Sequence, residues 1–140
     1  MIATKHEFMA PADMLEHERE IKAGVLEAVA SSPLIGAWLN CDKATRGLVK
    51  ILIAASGAAI TVHAFGACTP TPCDWGTVTG ITYAGAVDST PAVAFTARYK
   101  FNFKETVVAG HLDSGCLIVE TWDHFTDNSQ RSDYHALYYR

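Results

Sequence analysis

The chain has 140 residues, 49% of them hydrophobic and 19% charged, which suits one folded domain and excludes a disordered or highly charged chain. Its net charge of −4 excludes a broad basic face for nucleic acid. No apolar run is long enough for a membrane-spanning helix; the longest, around Ile51 to Val62, is broken by Ser56 and Gly57.

Residues 1–10 read as a flexible arm. They carry no apolar core of a secretory signal, so the expected location is cytoplasmic, with the four cysteines as thiols. The spacing then predicts a helix over 11–31. Pro11 suits its first turn, Asp13 and Glu16 suit the positive end of its dipole, and Ser31-Ser32-Pro33 stops it. Met14, Ile21, Val25 and Val29 form an apolar stripe that would pack on the rest of the domain.

After Pro33 the period changes to two. Eight strands are expected at about 34–40, 47–55, 59–65, 76–83, 92–101, 104–111, 116–124 and 132–139, separated by turn chemistry such as Ser56-Gly57 and Asp113-Ser114-Gly115. The fold class is therefore mainly β: an eight-stranded antiparallel up-and-down barrel over 34–140, preceded by one α-helix, in a single domain from 11 to 140. In the fifth strand Val93, Phe95, Ala97, Tyr99 and Phe101 should face inward, and Ala94, Thr96, Arg98 and Lys100 outward. The second strand is apolar on both faces, which calls for a cover outside it, and the helix is the expected one.

Gly36-Ala37-Trp38 stands on the first of these strands. A Gly-x-Trp there, on an eight-stranded barrel, resembles the calycin group of lipocalins, fatty-acid-binding proteins and avidins. The resemblance implies a ligand-binding barrel with Trp38 across its closed end. It also implies an Arg packed on that Trp, for which Arg140 is the nearest candidate and Arg131 the next. The helix comes first here, whereas lipocalins place one late, and the avidin pocket has no match. Segments 45–48 and 66–76 are also similar to small uncharacterised bacterial proteins, a likeness that transfers no activity.

Several groups could carry chemistry. Cys68 and Cys73 flank two X-Pro steps, and three readings stand side by side: a stiff connection between strands, a disulfide-closed lip, or a thiolate metal site completed by His63 and Asp74. Zinc normally asks for a second, tighter Cys pair, so no metal or other cofactor is expected. Glu120 shares a strand face with Ile118 and Trp122. Were that face the interior, a buried carboxylate would serve as general acid or base, or as the polar anchor of an apolar ligand; were it the exterior, Glu120 is an ordinary solvated residue. His111 and His135 are the alternative acid–base candidates. Phe95, Tyr99, Phe101, Trp122, Tyr134 and Tyr138 supply the aromatic surface of an expected pocket.

The leading expectation is a barrel that binds a small, largely apolar molecule. A cyclase- or isomerase-type barrel enzyme comes second and a protein-interaction module third. A small apolar molecule is the expected partner, nucleic acid and membrane are not, and self-association stays open.

Overall fold

A computed structural model describes residues 28–140. Eight strands follow in chain order: β1 (Gly36–Leu39), β2 (Leu48–Ser56), β3 (Ala59–Gly66), β4 (Cys73–Ala84), β5 (Ala92–Lys100), β6 (Lys104–Asp113), β7 (Cys116–Phe125) and β8 (Ser132–Tyr139). Each pairs antiparallel with the next, in the order β1 to β8, as one curled sheet, a half-barrel. Its two edges touch at the Asn40–Tyr139 bridge, where Leu39 and Arg140 exchange two backbone hydrogen bonds of 2.9 Å each. Tyr139 Oη and Asn40 Nδ2 both donate to the Leu48 carbonyl, at 2.6 and 3.0 Å, which ties that meeting point to the start of β2.

The arm over 1–10 and most of the expected helix lie outside the described residues. The last residues of that helix are described, and there the expectation is corrected. Ala30 forms a parallel bridge with Pro91, and the single turn Ser32–Leu34 is 3-10. Pro33 stands in the first turn of that 3-10 segment, where its missing N–H forfeits no hydrogen bond. Among the described residues no helix is long and apolar enough to cross a membrane.

Alternation selects the inner face. Ile60, Val62 and Ala64 of β3, Phe95, Ala97 and Tyr99 of β5, Val108 of β6, and Leu117 and Val119 of β7 are buried. The chain makes this face apolar at every second position, so burying it removes the largest apolar area from water. The ring of Phe95 fills the space that a side chain at Gly110 would take. The central interior is thus packed with side chains.

Three register shifts interrupt the ladders, one of them in β4 opposite His63 and Phe65, and the other two reset the expected faces of β5 and β2. In β5 the partners jump from Tyr83↔Ala94 to Ala84↔Ala92, so Val93 has no partner. Val93 therefore turns outward and Ala92 inward, against the expected alternation. In β2 the jump falls between Leu48 and Lys50, which lets Leu48 join Ile51 and Ile53 inside. Mixed polarity along β2 reflects this bulge as well as partial burial of Leu52 outside.

Gly36 has φ of +139°, a conformation open to glycine and strained for other residues. It sends the chain from the 3-10 turn into β1. Trp38 Nε1 then donates to the Leu34 carbonyl at 2.9 Å, and Leu34 is fully buried against the end of the sheet where β5 begins. That end is here termed the base. The opposite end, where β4, β6 and β8 begin, is the mouth.

Candidate ligand site

The mouth gathers several inward-facing polar groups. Lys104 precedes Thr106 and Val108 on the inner row of β6, and Asp123 follows Val119 and Thr121 on that of β7. Lys104 Nζ donates to Asp123 Oδ1 at 3.1 Å, with the two side chains only 12% and 10% exposed. Thr106 Oγ1 donates to the same carboxylate oxygen at 2.5 Å. A half-sequestered ion pair needs such extra hydrogen bonds, because desolvation offsets much of its Coulomb gain.

Aromatic rings surround the ammonium. Lys104 Nζ lies 4.5 Å from the Trp75 ring centroid and 5.6 Å from that of Phe101. Phe103 and Phe125 stand at 5.9 Å each. Trp75 packs edge-on against Tyr99 and Phe101 at 5.4 and 5.2 Å. Ring faces carry negative potential, so they hold the charged stem where water is scarce.

Beside this pair lies a hollow of ≈240 Å³, lined by Trp75, Lys104, Thr121, Asp123, His135 and the Cys68–Cys73 segment. Thr121 pairs with His135 across β7 and β8 on the inner face, so both point toward the mouth. Arg46 and Gly47 close the hollow from the other side. Cys68 and Cys73 form a disulfide with a Cα–Cα separation of 5.3 Å, and the intervening Thr69–Pro70 bond is cis. Of the three readings of that segment, the disulfide-closed lip is the one realised. The metal reading loses both thiolates. His63 and Asp74 do meet, at 2.6 Å, but on the outer face. The Gly76 N–H and then His63 hold the Asp74 carboxyl below the usual carboxylate range.

The other singled-out residues divide between the two faces. Glu120 and His111 lie on the outer face of β7 and β6, because Leu117, Val119 and Thr121 take the interior. Of the two readings of Glu120 the exterior one holds: its carboxylate is half-buried outside and accepts a hydrogen bond from Tyr134 Oη at 3.1 Å. The carboxylate next to it raises the Tyr134 phenol pKa. Trp122, Tyr134 and Tyr138 are exposed on that same outer face. They cannot line one void with Phe95 and Tyr99, which are buried on the inner face.

Phe95 is core. Tyr99 is a brace: its hydroxyl accepts from Ala64 N–H at 3.1 Å and lies 2.8 and 2.9 Å from the Val62 and Gly76 carbonyls. Phe101, half-buried, belongs to the mouth cluster. Trp38 stands at the base and Arg140 beside Leu39, whose contact with Arg140 runs through the backbone.

Lys104, Thr106, Trp75 and Asp123 were not among the residues the sequence marked. The signal was there. Once Leu117-Val119-Thr121 is taken as the inner row, the next inward position is Asp123, and its partner Thr106 lies on the inner row that begins at Lys104. Comparisons with protein-family models, curated proteins and solved structures found no match.

Proposed function

We propose that this protein binds a small molecule in the mouth of a calycin-like barrel, held by the Lys104–Asp123 pair and covered by the Cys68–Cys73 lip. The observation that carries this reading is a charged, hydrogen-bonded pair facing inward beside a hollow of ≈240 Å³. That volume falls below the range of about 300–1,000 Å³ usual for drug-sized ligands, so the ligand is small. The packed interior below keeps it near the rim. Lys104 offers N–H groups beyond the one given to Asp123, Thr121 offers a hydroxyl, and Trp75 offers an apolar wall. A molecule with one carbonyl, carboxylate or hydroxyl group on a compact apolar body meets all three.

The direct test is native mass spectrometry of protein purified from its own host. The expected result is a retained small molecule that Thr121→Val and His135→Ala, both at the hollow, release without loss of fold by circular dichroism. A bare chain in that spectrum, together with no hit at the mouth when small polar fragments are screened by ligand-observed NMR, overturns the reading.

A further inference from the structure

The outer face of β6–β8 carries a second constellation that the mouth does not use. Trp122 on β7 stands directly opposite Tyr134 on β8, with ring centroids 5.5 Å apart and planes inclined by 47°. Two rings at that angle form an open corner. Ile118 and Tyr138 make the next pair on the same face, and Glu120 lies between the two rows. Its cross-strand neighbours are Ala109 and Ala136, whose methyl groups leave the space over the carboxylate free. A hollow of ≈530 Å³ beside Trp122 and Tyr134, lined also by Arg98 and Lys100 and by Glu105, Asp123 and Asp133, and one of ≈310 Å³ beside Glu120 and His111 flank the cluster.

Three properties define what fits. Trp122, Tyr134 and Tyr138 are 43%, 55% and 59% exposed, an aromatic surface that water covers poorly. Among the described residues Glu120 has no ion pair, while Asp74, Glu105, Asp123 and Asp133 each have one. Among the described residues no cation lies over Trp122 or Tyr134, although Lys50 covers Phe65 and Lys104 covers Trp75. The nearest fixed cation along the Trp122 row is Arg98, with Val107 between them.

We infer that the Glu120–Trp122–Tyr134 cluster binds an organic cation, a methylated ammonium group seated in the aromatic corner with Glu120 as its counter-charge. Ring faces attract a weakly hydrated cation, and a carboxylate at the same point adds a Coulomb term that a neutral ligand cannot use. Tyr134 Oη holds the carboxylate against the rings. The net charge of −4 favours arrival of a cation. The head group could be free or borne on a methylated lysine, and the probes separate the two.

Choline, a trimethyl-lysine peptide and 3,3-dimethylbutan-1-ol, the uncharged isostere of choline, are titrated by calorimetry and by the indole N–H signals in NMR. The expected dissociation constant for the better charged probe is about 1 mM or tighter. The isostere should bind at least tenfold more weakly. Glu120→Gln should weaken the charged probe about tenfold, and Trp122→Ala should abolish binding. Tighter binding of choline assigns a free ligand, and tighter binding of the peptide assigns a modified protein. Equal affinity for choline and its isostere, or no binding by either charged probe, overturns the proposal.

Discussion

Tyr99 and Tyr139 are phenols sealed inside a β-sheet, each in contact with backbone carbonyls. Burial pushes Tyr99 up to about 12 from its ordinary value of 10, and raises Tyr139 further. Between pH 10 and 12 the unfolded chain loses the Tyr99 proton and the folded chain keeps it, so stability falls as pH rises through that window. Below pH 10 the contribution is fully present. Two pH units correspond to about 3 kcal/mol. Urea denaturation from pH 9 to 12 should show this decline, and Tyr99→Phe should make it shallower, leaving the Tyr139 share, while lowering stability at pH 7 by about 1–3 kcal/mol. The cysteines give a second check at this scale. Cys41 and Cys116 are free and Cys68–Cys73 is bonded, so alkylation of the unfolded, non-reduced chain should label two of the four. Four labels would mean that the lip is open in the protein as isolated.

The strands were legible because their signals are local. Period-two alternation and turn residues placed seven of the eight within about two residues of their observed limits. β4 is the exception, starting at Cys73 rather than 76, since Cys73 and Asp74 still pair with Gly66 and Phe65. Bulges were not legible. Each adds one residue to one strand of a pair, and a one-residue slip sends every later side chain to the other face. This is why Val93 faces water. At the centre of β6, Phe95 lies so close to Gly110 that a methyl group there forces the ring to move. Gly110→Ala should cost about 1–3 kcal/mol by overpacking, read from chemical denaturation. A change within a few tenths of a kcal/mol would show that the Phe95 ring can turn aside.

At the scale of the molecule, curvature does two things: it brings β8 against β1 at Asn40–Tyr139, and it focuses the starts of β4, β6 and β8 on one mouth. Tyr139→Phe removes a 2.6 Å bond from the Leu48 carbonyl and leaves Asn40 as its other partner. The expected loss is about 1–2 kcal/mol, measured by thermal unfolding. The closed short loop at the lip should contribute about 2 kcal/mol, lost on reduction. The amino-acid sequence by itself determined that the chain is mainly β, that it has eight strands, and that Trp38 stands on the first of them. Each follows from neighbours within a few residues. Only the tertiary structure decided which face is inside, and with it the roles of the charged groups. It put Glu120 outside among aromatic rings, and it joined Lys104, Thr106 and Asp123 at the mouth. The physical reason is that both faces of β7 carry apolar residues, so the strand alone is indifferent; cross-strand register over the whole curled sheet makes the choice.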